Sequence, residues 1–544
     1  MSNKRTKRSA WRGAAAIILI AVFAAAPIVA MLAGAGGSDG ALSLLTSRLG
    51  LNYVSTTLLL CAAAGASAGI VGAVTAILVS LTEFPGRRML SVGLALPFAI
   101  PAYVAAYAYG DLFGPFGPVA AIIGAEALPE IRSLPGAAFV LMLTTYPYVY
   151  LAMRASLAER SGAMVEAARS LGANPFRATL GVLLTASRPA LFGGLALALM
   201  EIAADYGVAD FFGVPTLSVG IFRTWYGLGD LPGAMQLAAA LFLVALMLVL
   251  MESASRKGRA SNDVRAQRKA RRLSLSPVHG FFAFLICVLP IFFGFIAPAG
   301  LLLSTLQPEM NVIVMRNLAA AGLNTAAIAA AGASLALFLA LILAYGARAA
   351  QGRVTKLVLR AATLGYAVPG AVMAIGVLAL SAYFARLSGH ALAGGVLILL
   401  YAYVARFLTA GYNAAAAGLA QISPQMDGAA RTLGAAPKRV IRELHWPMAR
   451  LSLLAGAAIV AIDIAKELPA TLILRPFNFE TLSTQIYRLA SDERLADAAP
   501  AALILIALGL LPSIALSLIA DSGHKKTRRS KAPAGPELES FSVS

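Results

Sequence analysis

The sequence predicts an all-α, polytopic membrane protein of about twelve transmembrane helices, built as two parallel-repeated six-helix units. Three observations carry that prediction. First, 59% of the 544 residues are hydrophobic and 13% are charged, with a mean hydropathy of +0.79; that is about half the charge a soluble chain needs on its solvated face. Second, the apolar residues run in blocks of 18 to 28, long enough to cross the hydrocarbon core as helices. Third, the second half of the chain repeats motifs of the first in the same order.

Taken in order, the apolar blocks place spans near 12–34, 54–81, 90–112, 136–157, 189–206, 234–252, 279–305, 322–346, 358–384, 391–413, 451–470 and 498–520. The first follows Lys4, Arg5, Lys7 and Arg8, as a signal peptide would. Its run from Gly13 to about Ala33 is long for a signal sequence and sufficient for a span, so it reads as a retained helix. With the N-terminus inside, the inside segments and adjoining span ends hold 34 of the 44 Lys and Arg and the outside segments 8, while Arg406 and Lys466 fall within spans. The positive-inside rule then puts both termini, including the tail 521–544, in the cytoplasm. A basic cytoplasmic linker, 253–278, separates a first unit, 1–252, from a second, 279–520. The net charge of +19 is therefore a loop charge facing anionic headgroups, with no nucleic-acid partner implied. Cys61 and Cys287 lie inside apolar blocks and read as core residues; no metal ligand set is assigned.

The halves align at a nearly constant offset. Glu166-Ala-Ala-Arg-Ser-Leu-Gly-Ala-Asn-Pro175 matches Gly428-Ala-Ala-Arg-Thr-Leu-Gly-Ala-Ala-Pro437 at 262, which also superposes Glu201-Ile-Ala-Ala-Asp205 on Asp463-Ile-Ala-Lys-Glu467. Leu217–Arg223 matches Leu482–Arg488 at 265. Six spans per unit is an even number, so the repeat is parallel, with a pseudo-twofold along the membrane normal.

The first matched pair falls in cytoplasmic loops near 158–188 and 414–450. In one, Ala167, Ala168, Arg169 and Leu171 precede Gly172, and Pro175 follows; in the other, Ala429, Ala430, Arg431 and Leu433 precede Gly434, and Pro437 follows. Each reads as a short helix stopped by glycine in the left-handed conformation, with a second helix starting at the proline. The product is a helical knob suited to a groove on a partner. These loops resemble the EAA coupling loops of binding-protein-dependent ABC importers. The first keeps Glu166, Ala167, Ala168 and Gly172 but lacks the final proline of the pattern; the second has Gly428 in place of the Glu, Asp427 one position earlier, and keeps the proline at Pro447. The resemblance implies that each loop seats in an ATPase subunit, two in all. No Gly-x4-Gly-Lys-Ser/Thr motif occurs, so ATP is expected on those subunits, with no cofactor in this chain and no enzyme activity of its own.

Over the whole chain the sequence is similar to fused two-unit permeases of ferric-iron importers. The similarity is carried by 96–109, Asp205-Tyr-Gly through Phe211-Phe-Gly213, 220–226, Lys466-Glu-Leu-Pro-Ala-Thr471 through Leu474-Arg-Pro-Phe477, and 491–496. It implies a bacterial inner-membrane importer fed by a periplasmic binding protein; thiamine, phosphonates or another small solute are alternative cargoes of the same class. Glu201 and Asp205 share a helix face, as do Asp463 and Glu467, and intramembrane carboxylates tend to face a pathway. These four are candidate pathway residues; hard oxygens suit a hard cation, while Lys466 is close enough in sequence to neutralise two of them. Pro101 and Pro369, equivalent at an offset of 268, are expected to kink the third and ninth spans at the pathway. Asp492 and Glu493 are candidate contacts for the binding protein. His445, in the tail of the second loop, reads as a surface residue. The rivals from other classes are an ion-coupled secondary transporter, against which the parallel repeat and paired knobs speak, and a membrane enzyme, for which four scattered histidines supply no catalytic cluster.

Overall fold

The computed structural model describes residues 2–36, 43–159, 170–172, 175–257, 272–306, 312–349, 352–363, 365, 368–389 and 395–522. The first half contains α1 (Ser2–Gly36), α2 (Arg48–Leu81), α3 (Arg87–Gly93), α4 (Ala102–Leu112), α5 (Leu134–Glu159), α6 (Pro175–Ala204), the short α7 (Gly207–Phe211) and α8 (Leu217–Phe222), and α9 (Leu231–Lys257). The second half follows with α10 (Pro277–Ser304), α11 (Val312–Ala349), α12 (Arg353–Ala362), α13 (Gly370–Ser388), α14 (Val396–Ala420) and α15 (Pro424–Thr432). It ends with α16 (Pro437–Lys466), α17 (Pro469–Leu474), α18 (Leu482–Ser491) and α19 (Leu495–Ser522). Among the described residues eleven helices are long and apolar enough to cross a bilayer, and the bent pair Arg87–Ala99 and Ala102–Leu112 makes up to twelve.

The bends fall at prolines. Arg87–Ala99 and Ala102–Leu112 meet at 92°, with Pro101 as the N-cap of α4. Pro369 is likewise the N-cap of α13. Their carbonyls accept the first helical bonds, from Val104 and Met373, both at 3.0 Å. Proline disfavours helical backbone in the residue before it, so a helix entering such a site must stop and restart. The ninth span expected at 358–384 is corrected accordingly. Residues 358–362 belong to the separate, amphipathic α12, and the spanning segment is Gly370–Ser388.

The two units exchange their first spans. Helix α1 packs against α11, α12, α13 and α14 of the second half, and α10 against α3, α4 and α5 of the first. Tyr401 on α14 donates to the Phe23 carbonyl at 2.8 Å, and Tyr109 on α4 donates to the Phe293 carbonyl at 2.6 Å. Close approach depends on small residues, as expected where lipid tails are as apolar as the helices themselves. A Cβ at Gly376 on α13 would stand 2.6 Å from the Pro27 carbonyl oxygen, and one at Gly294 would stand 2.8 Å from the Pro97 ring. The linker's end is fastened to the first half: strand β1 (Thr82–Glu83) pairs in parallel with β2 (Leu273–Ser274), and Arg272 bonds to Glu83 at 2.9 Å. Cys61 and Cys287 are both buried and unpaired to each other.

Candidate functional site

The pathway candidates sit where two helices break. Helix α6 ends at Ala204, and the Asp205 carboxylate accepts from the Val208 and Ala209 amides at 3.0 and 3.2 Å, starting α7. In the repeat, α16 ends at Lys466 and the Glu467 carboxylate accepts from the Ala470 amide at 3.1 Å, starting α17. The Glu467 carbonyl freed by the break is taken up by the hydroxyls of Thr471 (2.6 Å) and Ser483 (2.8 Å). An acidic N-cap satisfies amides that would otherwise be orphaned in the membrane. The same device is thus used twice.

All six pathway candidates (Pro101, Glu201, Asp205, Pro369, Asp463 and Glu467) line one cavity of about 280 Å³ between the halves, and Arg406 and Lys466 line it with them. The geometry divides the four acids, which the sequence presented as equals. Asp205 and Glu467 are caps, and Glu467 is also ion-paired with Arg406, both side chains being largely buried. The Arg406 Nε donates to the Val368 carbonyl at 3.2 Å. Glu201 and Asp463 make no hydrogen bond among the described residues, and Asp463 Oδ2 is buried without a partner. They are related by the 262-residue offset, as Asp205 and Glu467 are. Lys466 reaches across to the first half, donating to the Phe98 carbonyl at 3.4 Å, and passes over Gly509, where a Cβ would stand 2.5 Å from Nζ. The signal for Arg406 and Lys466 was present in the sequence: they are cations inside spans. Among the described residues no group of three or more His, Cys, Asp or Glu converges as a metal site.

A second, larger cavity of about 960 Å³ lies beyond the helix breaks, walled by α7, α8, α11, α17 and α18. Tyr206 lines both cavities and forms part of their partition. Its ring stacks on Phe222 at 3.8 Å, and its hydroxyl lies 2.9 Å from that of Tyr487 in the other half.

Of the first loop's residues, Glu166, Ala167, Ala168 and Arg169 lie outside the described residues. Gly172 has φ +85°, and Pro175 opens α6. The second loop is described throughout. Ser423 caps α15 by accepting from the Met426 amide; Ala429, Ala430 and Arg431 lie on that helix, Gly434 has φ +77°, and Pro437 opens α16. Leu171 and Leu433, equivalent at the same offset, are 89% and 87% exposed. Apolar tips in matching positions suit a helical knob.

His445 is corrected: it is buried, not at the surface. Its Nε2 lies 2.7 Å from Asp427 Oδ1, and its Nδ1 lies 3.1 Å from the Tyr345 hydroxyl. Arg348 donates to Asp427 Oδ2 at 2.8 Å and to the Leu419 and Ile422 carbonyls, both at 2.8 Å. This network ties α15 to the ends of α11, α14 and α16. The aligned positions 165 and 183 of the first loop hold Val165 and Leu183, so that loop has no such acid and histidine. Burial pushes the Asp427 carboxyl up, but the bonds from His445 and Arg348 outweigh it and hold the group below its ordinary value. Asp492 and Glu493 follow α18 at an exposed turn, with Glu493 3.5 Å from Arg132.

Residues 68–255 match the family described as binding-protein-dependent transport system inner membrane component. Over this stretch, about a third of its length, the chain is similar to that family. The chain is 24% identical over 472 residues to the Fe(3+)-transport system permease protein FbpB 2 of Haemophilus influenzae, covering 84% of this chain and 88% of that protein. It is also 26% identical over 246 residues to the sulfate transport system permease protein CysT of Synechocystis, covering 43% of this chain and 85% of that protein. A third relative, the CysT protein of Escherichia coli, is 28% identical over 187 residues, covering 33% of this chain and 67% of that protein. The likeness to the Fe(3+) permease thus runs over most of the chain, and those to the sulfate permeases over part of it.

Proposed function

We propose that this chain is a permease that translocates ferric iron, handed over by a periplasmic binding protein and driven by two separate ATPase subunits, across a bacterial inner membrane with both termini cytoplasmic. The observation that carries the reading is the cavity between the halves, where the repeat-related carboxylates Glu201 and Asp463 have no hydrogen-bond partner among the described residues. Four carboxylates against two cations leave its wall net negative with all six ionised, and oxygen donors suit a hard cation. The likeness to an Fe(3+) permease over most of the chain supports the same cargo.

In this reading Glu201 and Asp463 face the cargo, Asp205 and Glu467 hold the helix breaks in shape, and Pro101 and Pro369 form the bends around the pathway. The loops bearing Glu166–Pro175 and Ala429–Pro437 seat in the ATPases and pass their closure to α6 and α16, which begin at those loops. Asp492 and Glu493, exposed after α18, meet the binding protein. Arg406 and Lys466 in the same cavity, with the likeness to sulfate permeases, favour one second reading: an oxyanion cargo.

The test is ATP-dependent uptake of radiolabelled ferric iron into proteoliposomes holding this chain with its ATPase and binding protein. Sulfate, thiamine and phosphonate are supplied as competitors. Iron uptake that falls at least tenfold in Glu201→Gln/Asp463→Asn is the expected result. ATP-dependent uptake of sulfate with no iron uptake would overturn the cargo and select the second reading.

A further inference from the structure

We propose that the outer cavity contains a receiving site for ferric iron, formed by the Tyr206 and Tyr487 phenol oxygens and the Asp210 carboxylate. The inference rests on the iron cargo reading and adds the site at which the ion first meets this chain.

Three oxygens meet there from both halves. The Tyr206 hydroxyl is 2.9 Å from the Tyr487 hydroxyl, which donates to Asp210 Oδ2 at 2.8 Å. All three residues line the cavity of about 960 Å³. Oxygens coordinated at about 2.0–2.1 Å in an octahedral set stand about 2.9 Å from their neighbours, so the hydrogen-bonded spacing already matches that of adjacent ligands. Phenolate and carboxylate are hard donors that match a hard trivalent ion. Their positions are held by local structure: Asp205 caps α7 and sets Asp210 one turn beyond Tyr206, Phe222 stacks on the Tyr206 ring, and the Thr481 capping box starts the helix that carries Tyr487.

The trio departs from the internal repeat. At the aligned positions the other half has Leu468 for Tyr206 and Leu472 for Asp210, while Tyr487 aligns with Phe222. The hydroxyls and the acid are therefore present only in this combination, and the site needs both halves at once. Movement of the halves would assemble or separate it. Tyr206 also lines the inner cavity beside Glu201 and Asp205, so an ion released from the trio finds carboxylates across the partition.

The other charged groups of this cavity limit what arrives. Glu480 bonds to Arg488 at 2.8 and 3.1 Å and lies 3.5 Å from Arg475, so its single charge offsets one of the two arginines. Arg223 lines the cavity with no partner among the described residues. Its charge favours a ferric ion that keeps an anionic chelator on its remaining positions. Binding forms three iron–oxygen bonds as three bonds to water or to the delivering ligand break, and the two phenol protons pass to cavity water.

The experiment titrates the full-length permease in lipid nanodiscs with ferric nitrilotriacetate and reads the visible phenolate-to-iron charge-transfer absorption. Proteoliposome uptake is measured on the same preparations. The parent protein and Tyr226→Phe, whose hydroxyl is bonded to the Leu472 carbonyl at 2.5 Å, are expected to show the band. Tyr206→Phe/Tyr487→Phe is expected to lose it, and Asp210→Asn to weaken iron binding at least tenfold. Protection of the buried Cys61 and Cys287 from a thiol reagent establishes that each variant is folded. A band that persists in the double Phe variant, or iron uptake by a folded parent protein that shows no band, would overturn the site and leave the cargo reading standing. Uptake of sulfate and not of iron would overturn the cargo reading, and the receiving role with it.

Discussion

Arg406→Leu is the perturbation whose cost the structure defines best. Arg406 on α14 pairs with the Glu467 carboxylate, with side-chain exposures of 14% and 7%, and also donates to the Val368 carbonyl at 3.2 Å. Gly370 makes room for the pair, since a Cβ there would collide with the Glu467 carboxylate and stand 3.1 Å from Arg406 Nη1. Removing the arginine strands a buried carboxylate, which typically costs about 3–5 kcal/mol, and loses a carbonyl bond worth about 1 kcal/mol. Adding Glu467→Gln removes the uncompensated charge while its amide oxygen can still accept from the Ala470 amide, now 3.1 Å from Glu467 Oε1. The double variant should therefore recover all but about 1–2 kcal/mol. The assay is thermal unfolding followed with a thiol-reactive fluorophore, because Cys61 and Cys287 are both buried and react only as the helices separate. The expected order of midpoints is parent, then Arg406→Leu/Glu467→Gln, then Arg406→Leu well below. Equal midpoints for the single and double variants would refute the buried-charge argument.

Two further outcomes concern the coupling loops. Gly434→Ala places a Cβ at φ +77°, at a cost of about 1–2 kcal/mol; ATP-driven uptake should fall while the thermal midpoint of the spans stays within about 1 °C of the parent, and unchanged uptake would show that the turn is not held. Asp427 is held below its ordinary value by His445 and Arg348. Its contribution is thus fully present above the unfolded carboxyl pKa of about 3.9 and is lost only as pH falls through the lower folded value. Hydrogen exchange across 424–432, corrected for its intrinsic pH dependence, should therefore be flat from pH 7 to 5, whereas Asp427→Asn should raise it already at pH 7.

The sequence by itself determined the class of fold, since a bilayer demands long apolar helices. It also determined the duplication, the left-handed glycines Gly172 and Gly434 of the two matched loops and the two proline bends, because capping, φ preference and the missing proline N–H are properties of a few adjacent residues. It marked four acids inside spans as pathway candidates, since carboxylates in a membrane are costly and tend to face a cavity. Only the tertiary structure decided what each of them does. Periodicity marks a helix face but not its partner, and between helices surrounded by lipid no apolar face is intrinsically directed to one neighbour. The exchange of α1 and α10 between units was therefore invisible. So was the division in which Asp205 and Glu467 cap α7 and α17 while Glu201 and Asp463 have no hydrogen-bond partner among the described residues. His445 read as a surface residue because its loop is polar; its burial follows from Asp427 and Tyr345, 18 and 100 residues away in sequence. Tyr206 and Tyr487 are 281 residues apart, and nothing local to either residue announces that folding sets their hydroxyls within hydrogen-bonding distance.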